Sequence, residues 1–291
     1  LDSTGLSSAN FGATLIGWAT QAVQPGGTLG AAGLLFCSSE SQEAHRALEE
    51  SLGWSIEGDG FDSGNGLCSY IFFENDELED AVDDWMDNAT LAEATYGHIS
   101  TWDVSRITDM NYLFSYSGFN EDIGSWEVGN VTNMEEMFYG AETFNQDISG
   151  WDVGNVTDAT LMFWDAFAFD QDLSNWNVGN VSNMTQMFGN ATAFNGNLSN
   201  WDVSQVTTMR QMFDGASSFN QDLSNWDVSS VTSMVEMFYG ATDFNGEIGA
   251  WDVSNVRDMR GMFQVASSFN GDLSGWDVGQ VTNMSGMLRG S

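Results

Sequence analysis

Basic residues are the scarcest class in this chain of 291 residues. Lys and Arg together number six against 42 Asp and Glu, which gives a formal net charge of −36 at pH 7. Binding to the nucleic-acid backbone or to an anionic membrane leaflet depends on a basic protein surface. The composition therefore argues against nucleic acid and against an anionic membrane as direct partners.

Cysteine is nearly absent as well. Cys37 and Cys68 are the only two in the sequence, and they permit one disulfide, whose loop of about 30 residues would stabilise the fold by about 3 to 4 kcal/mol. Two free buried thiols are the alternative. Disulfides persist mainly in oxidising compartments. Together with the possible glycosylation sites described below, this leads us to predict the disulfide and an extracellular, cell-surface location.

Long apolar runs and catalytic motifs are also missing. The sequence contains no run of about 18 or more apolar residues, so we expect no direct membrane insertion. His45 and His98 are the only histidines, and surface or capping roles suit them better than general-base catalysis. The nucleophile-elbow, zinc-protease and P-loop motifs do not occur. We therefore expect no enzyme activity, with a glycosidase as the minor alternative.

The chain does contain a regular repeat. Its tryptophans recur after one step of 24 residues and then every 25 residues, at Trp102, Trp126, Trp151, Trp176, Trp201, Trp226, Trp251 and Trp276. A fixed period of this size indicates a solenoid. Counting each of these Trp residues as position 0, apolar residues return at positions 2, 5, 8, 11, 12, 15, 18 and 22. Stacking of neighbouring copies would bury them in one continuous core.

Each copy divides into two halves. The segment 223–228 follows the LxxLxL strand pattern of leucine-rich repeats and predicts a short parallel strand. Thr232 precedes an i, i+3, i+4 apolar stripe that predicts a short helix or 3-10 turn, closed by Gly240. The predicted fold class is an α/β solenoid: a leucine-rich-repeat-like stack of about eight coils, each with one strand and one short helix or 3-10 turn, and with α/β capping segments.

Three further residue types recur at fixed positions. Asparagines after the position-18 Phe are expected to satisfy backbone groups of turns: Asn145, Asn195, Asn220, Asn245 and Asn270. A Thr column at position 6 could suggest an ice-binding face, but helix capping is the simpler interpretation: Thr108, Thr132, Thr157, Thr207, Thr232 and Thr282. Most methionines fall at positions 8 and 11, so we expect them in the core and not as metal ligands.

The first 99 residues do not obey the repeat. Residues 1–66 should form an α/β closing or capping segment, with helices over 7–21 and 41–52 and strands over 33–37 and 54–56.

Residues 67–99 should lead into the array. We predict a strand over 68–73 and then a helix over 75–95 with an apolar face of Leu78, Val82, Trp85 and Met86. The solenoid itself would occupy 100–291.

The unit FNQDLSNWDVSSVTSMVEMFYGA resembles the 25-residue repeat of the BspA-type leucine-rich-repeat surface proteins, also described as the mycoplasma lipoprotein-associated repeat. The resemblance covers 100–291. The lead-in AEATYGHISTWDVSRITDM is similar to the start of such arrays in proteins of marine protists. The resemblance implies surface adhesion and supplies no catalytic residues.

The order of segments predicts a longer protein. The stretch GLSSANFGATLIGWATQ and the two strands after it resemble the segment that normally follows the last repeat of such an array, yet here they come first. We therefore expect a processed form or fragment of a protein that holds several arrays in series. A simple two-array receptor is the alternative.

An acidic column follows the Trp column. Position 1 is Asp or Glu in seven of the eight copies: Asp103, Glu127, Asp152, Asp202, Asp227, Asp252 and Asp277. Position 21 gives a second acidic column: Asp122, Asp147, Asp172, Asp222, Glu247 and Asp272. Carboxylates on adjacent strands, about 4.8 Å apart, repel each other. Calcium is the predicted counter-ion, and hydrogen bonding to nearby backbone amides is the alternative that needs no ion.

Glycosylation sequons are frequent. N-x-S/T triplets begin at Asn88, Asn130, Asn155, Asn180, Asn190 and Asn197, and also at Asn183 and Asn283. Chance matches are common in sequences rich in Asn and Thr, and the prediction applies only to a eukaryotic host.

These observations favour a non-enzymatic extracellular structural or adhesive repeat protein. We expect it to associate with copies of itself or with adjoining arrays of the same chain, as a protomer of a surface fibre or appendage assembled end to end. The alternative is a ligand-binding ectodomain of a cell-surface receptor that recognises a glycan or a surface protein on the acidic strand face.

Overall fold

The chain divides into two compact units, Leu1–Arg106 and Ile107–Ser291. The structure is a computed structural model that describes residues 6–31, 34–36, 38–57, 60–61 and 69–291. The first unit contains helices and short strands, and the second is built from the repeat. The division into 1–66, 67–99 and 100–291 stays a prediction.

Two helices of the first unit lie where the sequence pattern predicts them. α1 spans Ser8–Ala19, and its N-cap Ser7 accepts a backbone N–H of the first turn, as serine commonly does at this position. α2 spans Ser39–Arg46 and continues as a π-helical segment, Ala47–Ser51. Gly53 follows with a positive φ of 64° and ends the helical stretch, one residue after the predicted end at residue 52.

Four short strands form two parallel pairs. β1 (Thr28–Gly30) pairs with β3 (Ser55–Glu57), and β2 (Leu35–Phe36) pairs with β4 (Gly60–Phe61). β2 and β3 confirm the two predicted strands where the structure describes them, whereas β1 and β4 were not predicted. A core of apolar side chains packs with these elements: Phe11, Leu15, Ala31, Leu34, Phe36, Ala44, Leu48 and Ile56.

The third helix confirms the predicted lead-in to the repeats. α3 spans Asn75–Tyr96 and buries Leu78, Val82 and Trp85. Met86 is exposed, so its placement on the apolar face was wrong. Asn88 interrupts the helical backbone with φ −157° and ψ 87°. Among the described residues, none of the helices combines the length and apolar character that a membrane crossing needs.

The first repeat tryptophan is anchored within the first unit. The ring of Trp102 packs edge-on against Trp85 with 5.9 Å between centroids, and its Nε1–H donates to the Gly97 carbonyl at 2.9 Å. Ile71 and Asp103 form an isolated parallel bridge. The strand predicted over 68–73 is reduced to this bridge among its described residues, and Cys68 lies outside them.

The interior copies of the second unit bury the apolar positions that the period predicts, whereas the last copy exposes Val278, Met284 and Leu288. In the copy that begins at Trp201, the eight apolar side chains are each at most 1% exposed: Val203, Val206, Met209, Met212, Phe213, Ala216, Phe219 and Leu223. The core role predicted for the methionines at positions 8 and 11 is thereby confirmed in this copy.

Aromatic rings continue from copy to copy. The ring of Phe188 is fully buried and stacks on Phe163 at 5.5 Å and on Phe213 at 5.7 Å, with Phe194 of its own copy at 4.1 Å. Such stacked pairs stabilise the fold by more than the burial of their apolar area alone. Each copy is therefore stabilised mainly by its two neighbours.

Backbone hydrogen bonds join the copies at alternate residues. In the Trp201 copy, the N–H groups at positions 8, 10, 12 and 14 donate to carbonyls of the next copy, in the pairs Met209–Ser233, Gln211–Val235, Phe213–Met237 and Gly215–Tyr239. In the opposite direction, the Thr232 N–H donates to the Thr207 carbonyl at 2.8 Å. The two faces of a copy are therefore different and complementary.

The strand and helix predicted in each copy are wrong. Within 107–291, all of which is described, the chain forms turns joined by single-residue parallel bridges at position 7, such as Thr208↔Ser233. The strand fails because a turn closed by Asp222 overlaps the start of the segment 223–228 and a turn closed by Asp227 overlaps its end. The helix fails because alternate N–H groups donate to the next copy and not to the carbonyl four residues back.

Positions 10 and 14 of each copy adopt a positive φ whichever residue they carry. At position 14, Gly215 and Gly240 have φ values of 69° and 66°, and Val265 has 65°. The predicted turn-closing role of Gly240 is confirmed by its positive φ, although no helix ends at this turn. A β-branched residue is strained in this region because its side chain crowds the backbone.

We expect Val265→Gly to raise the free energy of unfolding by about 1 kcal/mol, because relief of left-handed strain outweighs the lost side chain and the added chain entropy. Val265 is 44% exposed, so little burial is lost. Urea denaturation measures the change. The reverse substitution at an equivalent position, Gly240→Val, should destabilise, and equal stability of all three proteins would contradict the strain.

Candidate functional site

The position-1 carboxylates lie at turns. Oδ1 of Asp152, Asp202, Asp227, Asp252 and Asp277 accepts the backbone N–H two residues on at 3.0 Å, and Asp103 does the same with Ser105. In the one copy that carries an amide, Asn177 accepts the Gly179 N–H at 3.2 Å. These are Asx turns. Hydrogen bonding to a backbone amide, the alternative to calcium binding, therefore accounts for one oxygen of each Asp.

The position-21 column uses the same device. Asp122, Asp147, Asp172, Asp222 and Asp272 each accept the N–H two residues on at 2.8 to 3.0 Å. Serine follows two residues after most of these Asp residues, and its hydrogen bonds lower the carboxyl pKa of Asp147, Asp222 and Asp272. The Ser149 side chain and N–H do so at Asp147, and the Ser204 side chain and N–H do so at Asp202 in the first column.

The described residues hold no cluster of three or more His, Cys, Asp or Glu side chains placed to bind a metal ion. The predicted calcium role of the position-1 column therefore rests on carboxylates spaced one per copy. The predicted Cys37–Cys68 disulfide lies outside the described residues.

The asparagine column confirms its predicted backbone role. Oδ1 of Asn195 accepts the Asn220 N–H of the next copy at 2.9 Å, and Oδ1 of Asn220 accepts the Asn245 N–H at 2.8 Å. Gln221 also reaches back, with its Nε2 donating to the Asn195 carbonyl at 2.8 Å. This exposed column forms a ladder between copies, comparable to the stacked amides of other repetitive β-structures, and Asp170 takes the place of the amide in one copy.

The threonine column also connects copies, and the predicted helix-capping role is wrong. The Oγ1–H of Thr232 donates to the Thr207 carbonyl at 3.1 Å, and that of Thr157 donates to the Thr132 carbonyl at the same distance. No helix follows these residues within 107–291, where every residue is described. The hydroxyls are thus used between copies.

The predicted sequons differ in exposure. Four Asn side chains are exposed: Asn88, Asn130, Asn155 and Asn180. Asn155 and Asn180 nevertheless donate through Nδ2 to carbonyls of the preceding copy at 2.7 and 2.6 Å. A glycan would be attached at that same nitrogen.

The other sequons are more enclosed. Asn183, Asn190, Asn197 and Asn283 are half-buried. Nδ2 of Asn190 donates to Asp165 Oδ1 at 2.9 Å, and Asn197 Oδ1 accepts the Ser199 N–H at 3.0 Å. Glycosylation stays a prediction at all of these positions.

A cavity of about 350 Å³ lies in the first unit, and sequence reasoning missed it. Arg46 is central to it, with its Nε 2.8 Å from Glu50 Oε1 and one terminal nitrogen 3.3 Å from Glu77 Oε2. Tyr70 donates to Glu77 at 3.1 Å, and burial together with that carboxylate raises the pKa of Tyr70. Mutually paired charges of this kind are common in structural ion-pair clusters.

The two histidines have structural contacts. The ring of His45 stacks on Phe36 with 4.9 Å between centroids, and its Nδ1 lies 3.6 Å from Glu49. His98 precedes a 3-10 turn, Ile99–Thr101, and its Nδ1 accepts the Ser100 N–H at 3.3 Å. The predicted capping role of His98 is confirmed.

Comparison with known families gives a match to most of the chain. The profile described as "Mycoplasma protein of unknown function, DUF285" matches residues 84–201 and 188–291, more than half of the chain. The chain belongs to this family. The match supports the predicted mycoplasma-type repeat protein and assigns it no activity. A search of curated proteins finds no match to this sequence.

Proposed function

We propose that this DUF285 protein is a non-enzymatic extracellular structural or adhesive protein, a solenoid that assembles end to end with copies of itself or adjoining arrays in a surface fibre or appendage. The observation that carries the proposal is the difference between the two faces of each copy, one offering four alternate N–H donors and the other the matching carbonyls. Head-to-tail association of such faces produces open filaments.

Calcium is the proposed partner of the acidic columns. The Asp side chains commit Oδ1 to a local N–H, and their second oxygens would carry the interaction with the ion. The formal charge of −36 favours any cation that reduces repulsion along the stack. We propose weak binding spread along the position-1 column, with no discrete cage.

The extracellular location, the glycans and the Cys37–Cys68 disulfide belong to the same proposal. These three parts of the proposal are supported by the sequons, the acidic composition and the resemblance to surface repeats, including those of marine protists. Asn88 and Asn130 are exposed sequons outside the half-buried group, and we propose them as the first positions to examine by mass spectrometry of protein from the native source.

A ligand-binding ectodomain is the second candidate. It is favoured by exposed aromatic side chains that interrupt the repeat, of which Tyr116 is 76% exposed. Sequencing the flanking coding region separates the two functions. Many successive arrays would support the fibre, whereas one array followed by a membrane span would overturn the fibre in favour of a receptor.

A further inference from the structure

Three successive copies in the second unit carry aromatic residues outside the buried apolar positions. We define this aromatic patch as Tyr112, Tyr116, Tyr139, Trp164 and Phe167. Tyr112 is 48% exposed, Tyr116 76% and Phe167 40%, and the other two are half-buried. Among the ten residues at positions 13 and 14 of the five later copies, only Tyr239 is aromatic. These aromatic side chains are therefore a local departure from the repeat and are not required by its core.

Glycines allow two of these rings to extend over the following copies. A Cβ on Gly140 would lie 2.9 Å from Cδ1 of Tyr116, and a Cβ on Gly189 would collide with the six-membered ring of Trp164. Tyr116 and Tyr139 also pack against each other with 4.9 Å between ring centroids. The hydrogen bond with the Tyr116 side chain, together with burial, raises the pKa of Tyr139 to about 12, so the Tyr139 hydroxyl stays protonated near neutral pH.

The surroundings of the patch are anionic. Tyr112 donates its hydroxyl hydrogen to Glu136 Oε1 at 3.3 Å, and its backbone N–H donates to the Glu135 carbonyl at 3.0 Å. Asp165 follows Trp164 directly in the chain. From Ile107 to Met209 the sequence contains no Lys, Arg or His. A ligand for this surface therefore needs positive charge as well as apolar faces that can pack on aromatic rings.

We propose that the aromatic patch binds an extended amino-sugar oligosaccharide with protonated amines. Its rigid rings would pack their apolar faces on Tyr116 and Trp164, and its ammonium groups would lie beside Glu135, Glu136 and Asp165. Tyr and Trp provide a large contact area at a low entropic cost.

Two other occupants fit the patch less well. A second copy of this chain has only six Lys and Arg against 42 Asp and Glu, so it offers this acidic surface few cations. A basic peptide presents compact cations, and aromatic residues bind such cations best when they form an enclosed cage. This patch is open, since Tyr112, Tyr116 and Phe167 are 40 to 76% exposed.

The test is calorimetric titration of the full chain with a glucosamine hexasaccharide at low salt. Tyr116→Ala with Trp164→Ala should weaken binding by about fivefold to 150-fold, since each stacked ring contributes about 0.5–1.5 kcal/mol. Tyr239→Ala is the matched control, because Tyr239 occupies position 13 of a distant copy and should leave binding unchanged. Glu136→Gln keeps an acceptor for Tyr112 and should weaken binding several-fold.

Two ligand controls complete the design. The fully N-acetylated hexasaccharide lacks the positive charge and should bind more weakly, and oligolysine should bind without sensitivity to the two aromatic substitutions. Equal binding by the wild type and the double variant, or equal loss in Tyr239→Ala, would overturn the proposal. This site does not depend on end-to-end assembly, so light scattering of the double variant distinguishes a failure of binding from a failure of the proposed function.

Discussion

Replacing Phe188 by alanine should lower the free energy of unfolding by about 3–5 kcal/mol. The side chain is fully buried between Phe163 and Phe213, and its ring also stacks on Phe194. The substitution removes ring contacts with the preceding copy, with the following copy and with Phe194. The backbone hydrogen bonds between copies limit how far the structure can close the cavity that the missing ring leaves. Urea denaturation followed by tryptophan fluorescence measures the loss.

The matched control is Phe167→Ala. This phenylalanine is 40% exposed, and its removal should cost less than about 1 kcal/mol. Similar losses for the two variants would show that the Phe column does not provide the main stabilisation between copies.

Replacing Asp147, Asp202 and Asp222 together by alanine should lower the free energy of unfolding by about 2 kcal/mol. Each carboxylate accepts the N–H two residues on at 2.8 to 3.0 Å. A hydrogen bond to a turn contributes about 0.5–1.5 kcal/mol, and solvent exposure places these near the lower end. Thermal and urea unfolding measure the loss.

The triple Asn variant is the control, because Asn177 and Asn197 already form the same turn in the chain. It should match or exceed the wild type at neutral pH. Hydrogen bonds lower the pKa of all three aspartates, so the stability they add is present above the unfolded pKa of about 3.9 and is lost as the pH falls through the folded pKa. The Asn variant should lack this acid-dependent component. Equal stability of the Ala and Asn variants would contradict the turn role.

Much of the fold could be predicted from the sequence because the period is strict. The buried positions of the Trp201 copy and the limits of α3 follow from apolar spacing alone. The backbone path within a copy was mispredicted because the LxxLxL spacing indicates a strand, although Asp227-Val228-Ser229 in the same stretch is a turn signal. Left-handed residues such as Gln186, with φ 59°, leave no trace in the sequence, because their conformation is imposed by bonds to the next copy.

The surface columns could be predicted only in part. The asparagine ladder followed from chemistry, since a stacked amide can accept a backbone N–H. The threonines were assigned to helix caps because a helix was expected after them. The aromatic patch becomes visible only when Tyr116 and Trp164 are seen to extend over Gly140 and Gly189, which depends on how the copies stack.

The most direct test of the proposed structural role is assembly of the native-length protein in calcium and in chelator. Light scattering and electron microscopy would report particle size, and thermal unfolding would report stability in the same samples. We predict filaments in calcium that disperse in chelator, together with a melting temperature several degrees higher in calcium. Monomers with equal melting temperatures in both conditions would contradict calcium-dependent assembly. Turn formation would then be the only role left for the acidic columns.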